Sequence, residues 1–179
     1  MEEGLDGIRE KDGDRLSFSV LIRSGNKEEE AVILLAQEDW RTIGVEILPE
    51  FIEYSVLLEQ YLDIAQFEAY SLGWRLGLDP DCYLFFHSDC AVNEEGQLMG
   101  FNDVEFKNEE LDKLLEEGRT EMDQEKRKEI YKKVQQIVND ELPYVFLYSR
   151  NNVSAMSKKV QGVVWSTLGP MFPEKWLIE

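Results

Sequence analysis

The chain has 179 residues, 43% of them hydrophobic and 11% aromatic, enough to bury a core in about one domain. With 37 acidic residues against 19 basic ones, it repels phosphate backbones, which argues against a nucleic-acid partner. No apolar run approaches the roughly 18–20 residues that would span a membrane, and the opening "MEEGLDGIREKDG" is too acidic and polar for a secretory signal.

Residues 6–15, "DGIREKDGDR", hold two Asp-Gly pairs and read as turns. In "LSFSVLIR", Leu16, Phe18, Val20 and Ile22 alternate with Ser17 and Ser19, which predicts a strand. After a turn at Gly25 and Asn26, a helix follows. Its inward face is predicted as Val32, Leu35, Ala36, Trp40 and Ile43, and Gly44 stops it. "VEILPEFIEY" predicts a second strand with Val45, Ile47 and Phe51 on one side, and Pro49 marks an edge or a bulge. Leu57, Leu58, Tyr61, Leu62 and Ala65 form a helical stripe, and "QFEAYSLGW" predicts a third strand.

This alternation predicts an α/β fold: βαβ units around a mainly parallel central sheet flanked by helices. Two further helices are expected. Asn108 caps one with Leu111, Leu114, Leu115, Gly118 and Met122 inward. Asp123 caps the other with Ile130, Tyr131, Val134, Ile137 and Val138 inward, ending at Pro143. "YVFLYS" (144–149) alternates as one more strand, and the aromatic remainder is strand-poor.

The stretch "GWRLGLDPDCY" (73–83) sits at the carboxyl end of the third strand, where open α/β sheets bind ligands. Gly73 and Gly77 allow close backbone approach, Asp79 and Pro80 suit a helix start, and Trp74 offers a flat apolar face. From these residues alone, a cleft wall and a structural strand-to-helix turn both remain open. Cys82, His87 and Cys90 lack the fourth ligand and the paired spacing of a structural zinc site, so no metal and no cofactor is predicted. A disulfide between the two cysteines would need a turn near Ser88, because one continuous helix holds such residues about 12 Å apart.

"GWRLGLDPDCYLFFHSD", followed by "GFNDVEFKNEELDKLLEEGRTEMDQEKRKEIYKKVQQIVNDELPYVFLY", resembles the C-terminal lobe of family 5 extracellular solute-binding proteins, the dipeptide and oligopeptide receptors of ABC importers. Gly-Trp then Asp-Pro, Phe101-Asn102, Asn108 with Asp112, Leu114 and Leu115, then Asp123, Arg127, Tyr131 and Pro143 recur in order and spacing.

The resemblance implies a type II periplasmic-binding-protein-like lobe over residues 1–159. A tail, 160–179, would return to an N-terminal lobe that this chain does not contain, and the chain would be one piece of a longer receptor. It implies capture of a peptide or similar small solute between two lobes, and delivery to a membrane permease. The expected place is outside the cytoplasmic membrane, in the periplasm or at the cell surface, with a lipid anchor on the full-length protein. The ligand-binding residues it implies are Trp74, Arg75, Asp79, Phe101 and Asn102.

One departure bears on the ligand. Family peptide receptors place an aspartate shortly after Gly-Trp to hold the ligand's α-ammonium group. Here that stretch is Arg75, Leu76, Gly77 and Leu78, with Asp79 displaced. Either Asp79 or Asp81 takes over, or the ligand lacks a free amino terminus. A receptor for an oligosaccharide or a metal chelate is the alternative within the family, and an acidic protein-interaction domain is the alternative outside it. Asp79 and Asp81 are spaced wrongly to serve one bond as a catalytic pair, and no nucleophile–base set accompanies them, so the chain is not read as an enzyme.

Overall fold

The computed structural model describes residues 2–4, 6–75, 77–151, 153–166 and 168–178. The chain divides into two compact units, Met1–Pro143 and Tyr144–Glu179.

The first unit is built on a three-stranded parallel sheet. Three short strands precede it as an antiparallel meander: β1 (Glu2–Glu3), β2 (Arg9–Lys11) and β3 (Asp14–Arg15). The Asp-Gly turns expected here are present, with Asp12 and Gly13 at positive φ between β2 and β3. The paired segments around them were not legible as strands, because they are short and charged.

β4 (Ser17–Arg23) is the central strand of the parallel sheet. It runs beside β5 (Glu46–Ile52), Ser17 opposite Glu46 through Arg23 opposite Ile52, and beside β6 (Tyr70–Ser71), Leu21 opposite Tyr70. The order β5–β4–β6 puts Pro49 on an edge strand, where its missing N–H costs no ladder bond.

Helix α1 (Lys27–Arg41) crosses from β4 to β5. A short helix α2 (Tyr54–Leu57), continued by a π-helical turn over Leu58–Leu62, crosses from β5 to β6. The two crossovers explain the pattern of β4. Val20 and Ile22 pack with Ile33 and Ile47, while Leu21, on the other face, packs with Leu57 and Leu62. Both faces of the strand are covered, so the alternation seen at Leu16–Phe18–Val20 breaks at Leu21.

The inward face of α1 differs from expectation. Ile33 and Glu29 are buried, whereas Leu35 and Ile43 are 63% and 61% exposed. The apolar run "AVILL" gives no unique stripe, and the sheet contact selects Ile33 and Ala36. Phe51 is likewise exposed on the edge strand.

A single turn, α3 (Tyr83–Phe86), leads into a 3-10 turn over Ser88–Cys90 and then to two long helices, α4 (Glu109–Thr120) and α5 (Gln124–Glu141). The Asn108 side chain accepts from the backbone N–H groups of Glu110 and Leu111, and Asp123 accepts from those of Glu125 and Lys126, so both expected caps form. Leu111, Leu114, Leu115 and Gly118 are buried on α4, as are Ile130, Tyr131, Val134 and Val138 on α5. A Cβ at Gly118 would lie 3.0 Å from the Tyr131 ring, so glycine lets the helices close there. Met122 falls past the end of α4 and is 93% exposed rather than inward. Leu142 ends α5 in the left-handed conformation, just before Pro143.

The second unit starts after Pro143. Residues 144–149 form no strand; their alternation lacks a neighbouring ladder to hold it. The stretch beyond is not strand-poor. It carries β7 (Val160–Gln161) paired antiparallel with β10 (Leu177–Ile178), and β8 (Val164–Ser166) paired antiparallel with β9 (Gly169–Met171).

Candidate functional site

The carboxyl ends of β4, β5 and β6 lie on one edge of the sheet, because the three strands are parallel. The chain leaves β6 at Ser71 and reaches Trp74 three residues later, on the edge where ligands bind open α/β sheets. Trp74 is 44% exposed, so it is not enclosed between helix and sheet.

Two rings support its covered side. Phe85 of α3 meets it edge-on at 4.7 Å between centroids, and Phe101 lies tilted against it at 5.2 Å. Phe85 and Phe101 stack at 5.6 Å, which closes an aromatic triangle. Phe101 is itself 44% exposed, so two of the three rings keep an open face.

The loop carrying Phe101 is fixed at several points. The Phe101 N–H donates to the Leu84 carbonyl at 2.8 Å, tying the loop to α3. Asn102 is fully buried. Its Nδ2 donates to the carbonyls of His87 and Phe106, and its Oδ1 accepts from the Phe106 N–H. Asn102 therefore organises the loop from inside, and its side chain does not face the open side of the aromatic triangle. Gly100 is needed for the same fit: a Cβ there would come within 2.6 Å of Cys90 Cβ and 3.0 Å of the Leu84 carbonyl oxygen. Next to Asn102, Asp103 accepts from the Tyr70 hydroxyl at 2.6 Å, and burial raises its carboxyl above the usual range.

The loop between Trp74 and α3 is held by charge. Asp79 pairs with Arg127 of α5 at 2.7 Å and also accepts from the Asp81 N–H. The Arg127 guanidinium, with that N–H, holds the Asp79 carboxyl below the usual carboxylate range. Arg127 donates as well to the Gly118 carbonyl at the end of α4. Asp81 meets Arg119 at 3.3 Å and accepts from the Tyr83 N–H, and Arg119 lies over the Tyr83 ring. Asp79 and Pro80 thus form a turn rather than a helix start, and α3 begins at Tyr83.

Gly73 and Gly77 have no segment against them, since an added Cβ at either would meet no atom within 4 Å. The close backbone approach expected of them is not made among the described residues. Arg75 is exposed beside Trp74, and Leu76 lies outside the described residues.

His87 is 4% exposed and stacks on Tyr83 at 4.1 Å. Its Nδ1 accepts from the Asp89 N–H, and Nε2 stands 3.6 Å from a Glu116 carboxylate oxygen. Cys82 and Cys90 are both free thiols, and burial pushes the Cys82 thiol up to about 11. Among the described residues no three His, Cys, Asp or Glu side chains converge to hold a metal ion.

The structure therefore joins two sequence-predicted residues, Trp74 and Phe101, on one patch. It leaves Arg75 exposed, gives Asp79 to Arg127 and turns Asn102 inward. Sequence reasoning missed Phe85, Tyr70 and Asp103. Nothing in their spacing announced them, because the meeting of Phe85 with Trp74 and Phe101, and of Tyr70 with Asp103, is a product of chain folding.

Comparison with known proteins follows the same lines. No family model matches the chain. The oligopeptide-binding protein AppA of Bacillus subtilis is 34% identical over 173 residues, covering 96% of this chain and 31% of that protein. The dipeptide-binding protein of Escherichia coli is 26% identical, covering 81% of this chain and 26% of that protein. Among solved structures, AppA of Bacillus subtilis in complex with a nonapeptide superposes with a TM-score of 0.79 at 32% identity, over 100% of this chain and 35% of that one. The oligopeptide-binding protein of Thermus thermophilus complexed with a pentapeptide gives 0.71 at 25% identity, over 79% of this chain and 26% of that one.

The fold matches one part of solved peptide-binding proteins. The chain is homologous, along its length, to a segment of the family 5 extracellular solute-binding proteins, and it spans about a quarter to a third of the length of these relatives. The matched relatives are binding proteins, not enzymes.

Proposed function

We propose that this chain forms one lobe of the substrate-binding component of an ABC importer, and that the full-length receptor captures a peptide between two lobes and hands it to a membrane permease. The observation that carries this reading is the half-open aromatic triangle of Trp74, Phe85 and Phe101 at the carboxyl edge of the parallel sheet. Aromatic walls supply affinity for a solute of variable side chain, and a few polar groups orient it. Closure of a second lobe would bury what this lobe leaves in water, and no bond is broken.

Trp74 and Phe101 are the proposed contact residues, with Arg75 beside them. Asp79 and Asn102 act behind them: Asp79 is held by Arg127, and Asn102 shapes the loop. Asp79, already paired with Arg127, is not the proposed partner of a peptide α-ammonium group.

The working place proposed is outside the cytoplasmic membrane, with a lipid anchor on the full-length protein. No helix among the described residues is long and apolar enough to cross a membrane. Residues 160–179 are proposed to return to the N-terminal lobe. Support comes from Trp165, Leu168, Leu177 and Ile178, which are 50–83% exposed.

The test is titration calorimetry of the full-length receptor with peptides of two to nine residues, alongside oligosaccharides and nickel–histidine chelates. Saturable peptide binding that weakens roughly two- to tenfold in the Trp74→Ala variant supports the reading. Binding of sugars or chelates without peptides overturns the peptide class, and binding of none of them overturns solute capture.

A further inference from the structure

We propose that Tyr70 and Asp103 are positioning residues for the ligand wall, setting the distance between Trp74 and Phe101 through one hydrogen bond that joins the sheet to the Phe101 loop. The inference rests on the solute-receptor reading above.

Tyr70 lies on β6, opposite Leu21 of the central strand, and packs edge-on against Phe67 at 4.9 Å. Its backbone is thus part of the parallel sheet, and Trp74 follows four residues later. Asp103 lies two residues after Phe101, on a loop with no regular structure. The Tyr70 hydroxyl donates to Asp103 Oδ2 at 2.6 Å across a separation of 33 residues. The bond therefore links the segment that delivers Trp74 to the segment that delivers Phe101.

Stability alone does not account for a carboxylate here. Asp103 is 8% exposed, and its second oxygen, Oδ1, is buried without a hydrogen-bond partner. A buried carboxylate with one unpartnered oxygen costs free energy, and replacing both partners of a buried polar pair by apolar groups of the same shape is often neutral or stabilising. The same loop is already organised by Asn102, whose side-chain amide is fully bonded to backbone groups. Asp103 adds the connection to the sheet that Asn102 does not make.

Three single variants and one double variant of the full-length receptor test this. Tyr70→Phe removes the donor and keeps the ring packing. Asp103→Ala removes the acceptor together with the unpartnered oxygen. Asp103→Asn keeps a carbonyl oxygen to accept from Tyr70. Each is measured for peptide affinity per folded molecule, for thermal stability, and for the fluorine resonance of 5-fluorotryptophan at Trp74, assigned with Trp74→Phe.

Tyr70→Phe and Asp103→Ala should each weaken binding about five- to tenfold and shift the Trp74 resonance in the ligand-free receptor. The double variant Tyr70→Phe/Asp103→Ala, which leaves neither partner unsatisfied, should do so with little loss of thermal stability. Asp103→Asn should bind within about twofold of wild type. A merely structural role would move affinity and stability together in the double variant, and that result overturns the proposal. So does unchanged binding in both disrupting variants, or an Asp103→Asn receptor as weak as Asp103→Ala. If Tyr70→Phe does not fold, Asp103→Ala and Asp103→Asn answer the same question. If the wild-type receptor binds no peptide, the functional reading fails, while the Trp74 resonance still decides whether this bond positions the ring.

Discussion

Replacing Trp74 with alanine separates ligand contact from packing. Trp74 is 44% exposed, so somewhat more than half of its surface is covered, and Phe85 and Phe101 are ring neighbours on it. A fully buried aromatic costs about 3–5 kcal/mol on truncation, and scaling by the covered share gives about 2–3 kcal/mol here. The open face is the part available to a solute. Losing one aromatic contact to ligand removes about 0.5–1.5 kcal/mol of affinity, a roughly two- to tenfold rise in Kd. Urea unfolding of the full-length receptor reads the first quantity. Calorimetry at a temperature where the variant is folded reads the second. Trp74→Phe, which retains a ring, should recover most of both. Unchanged affinity per folded molecule, with a stability loss of about 4 kcal/mol or more, would make Trp74 a packing residue and refute its assignment to the cleft wall.

Gly100→Ala should destabilise the receptor by about 1–3 kcal/mol in urea unfolding, because its Cβ would meet Cys90 Cβ at 2.6 Å and a backbone carbonyl at 3.0 Å. Asp79→Asn should lower the thermal midpoint near neutral pH, with a gap that closes in acid. The Asp79 carboxyl is lowered by Arg127, so its stabilisation is fully present above the ordinary carboxylate value of about 4 and disappears as pH falls through the lower folded value; a gap constant from about pH 6 to about pH 2 in paired melts would contradict this. Cys82, with its thiol pushed up to about 11, should react with iodoacetamide at pH 7.5 far more slowly than a free cysteine. Rapid labelling before any denaturant is added would contradict that burial.

Residue types and their spacing determined the βαβ order of the first unit, the central strand at Val20–Ile22, both caps at Asn108 and Asp123, and the helix end at Pro143. These are local matters: alternation, a 3.6-residue stripe and a side-chain oxygen reaching back to N–H groups of its own chain segment act within a few residues. Trp74 was legible as a candidate for the same reason, as a flat aromatic beside a glycine at the end of a strand, whereas Phe101 was a candidate only through the resemblance to the receptor family.

Other features needed the tertiary structure. Ile33 rather than Leu35 faces the sheet because "AVILL" offers several equivalent stripes and only the neighbouring strands choose one. Residues 144–149 alternate well yet form no strand, since a strand exists only where a partner supplies its hydrogen bonds. Asp79 could have met a ligand ammonium, but Arg127, 48 residues away, takes it. Asn102 has the chemistry of a ligand contact, and folding spends it on the His87 and Phe106 backbone. The Tyr70–Asp103 bond and the Phe85 ring beneath Trp74 join residues whose separation in sequence carries no pattern. Only the closing of the chain brings them within contact distance, and contact distance is what their energies depend on.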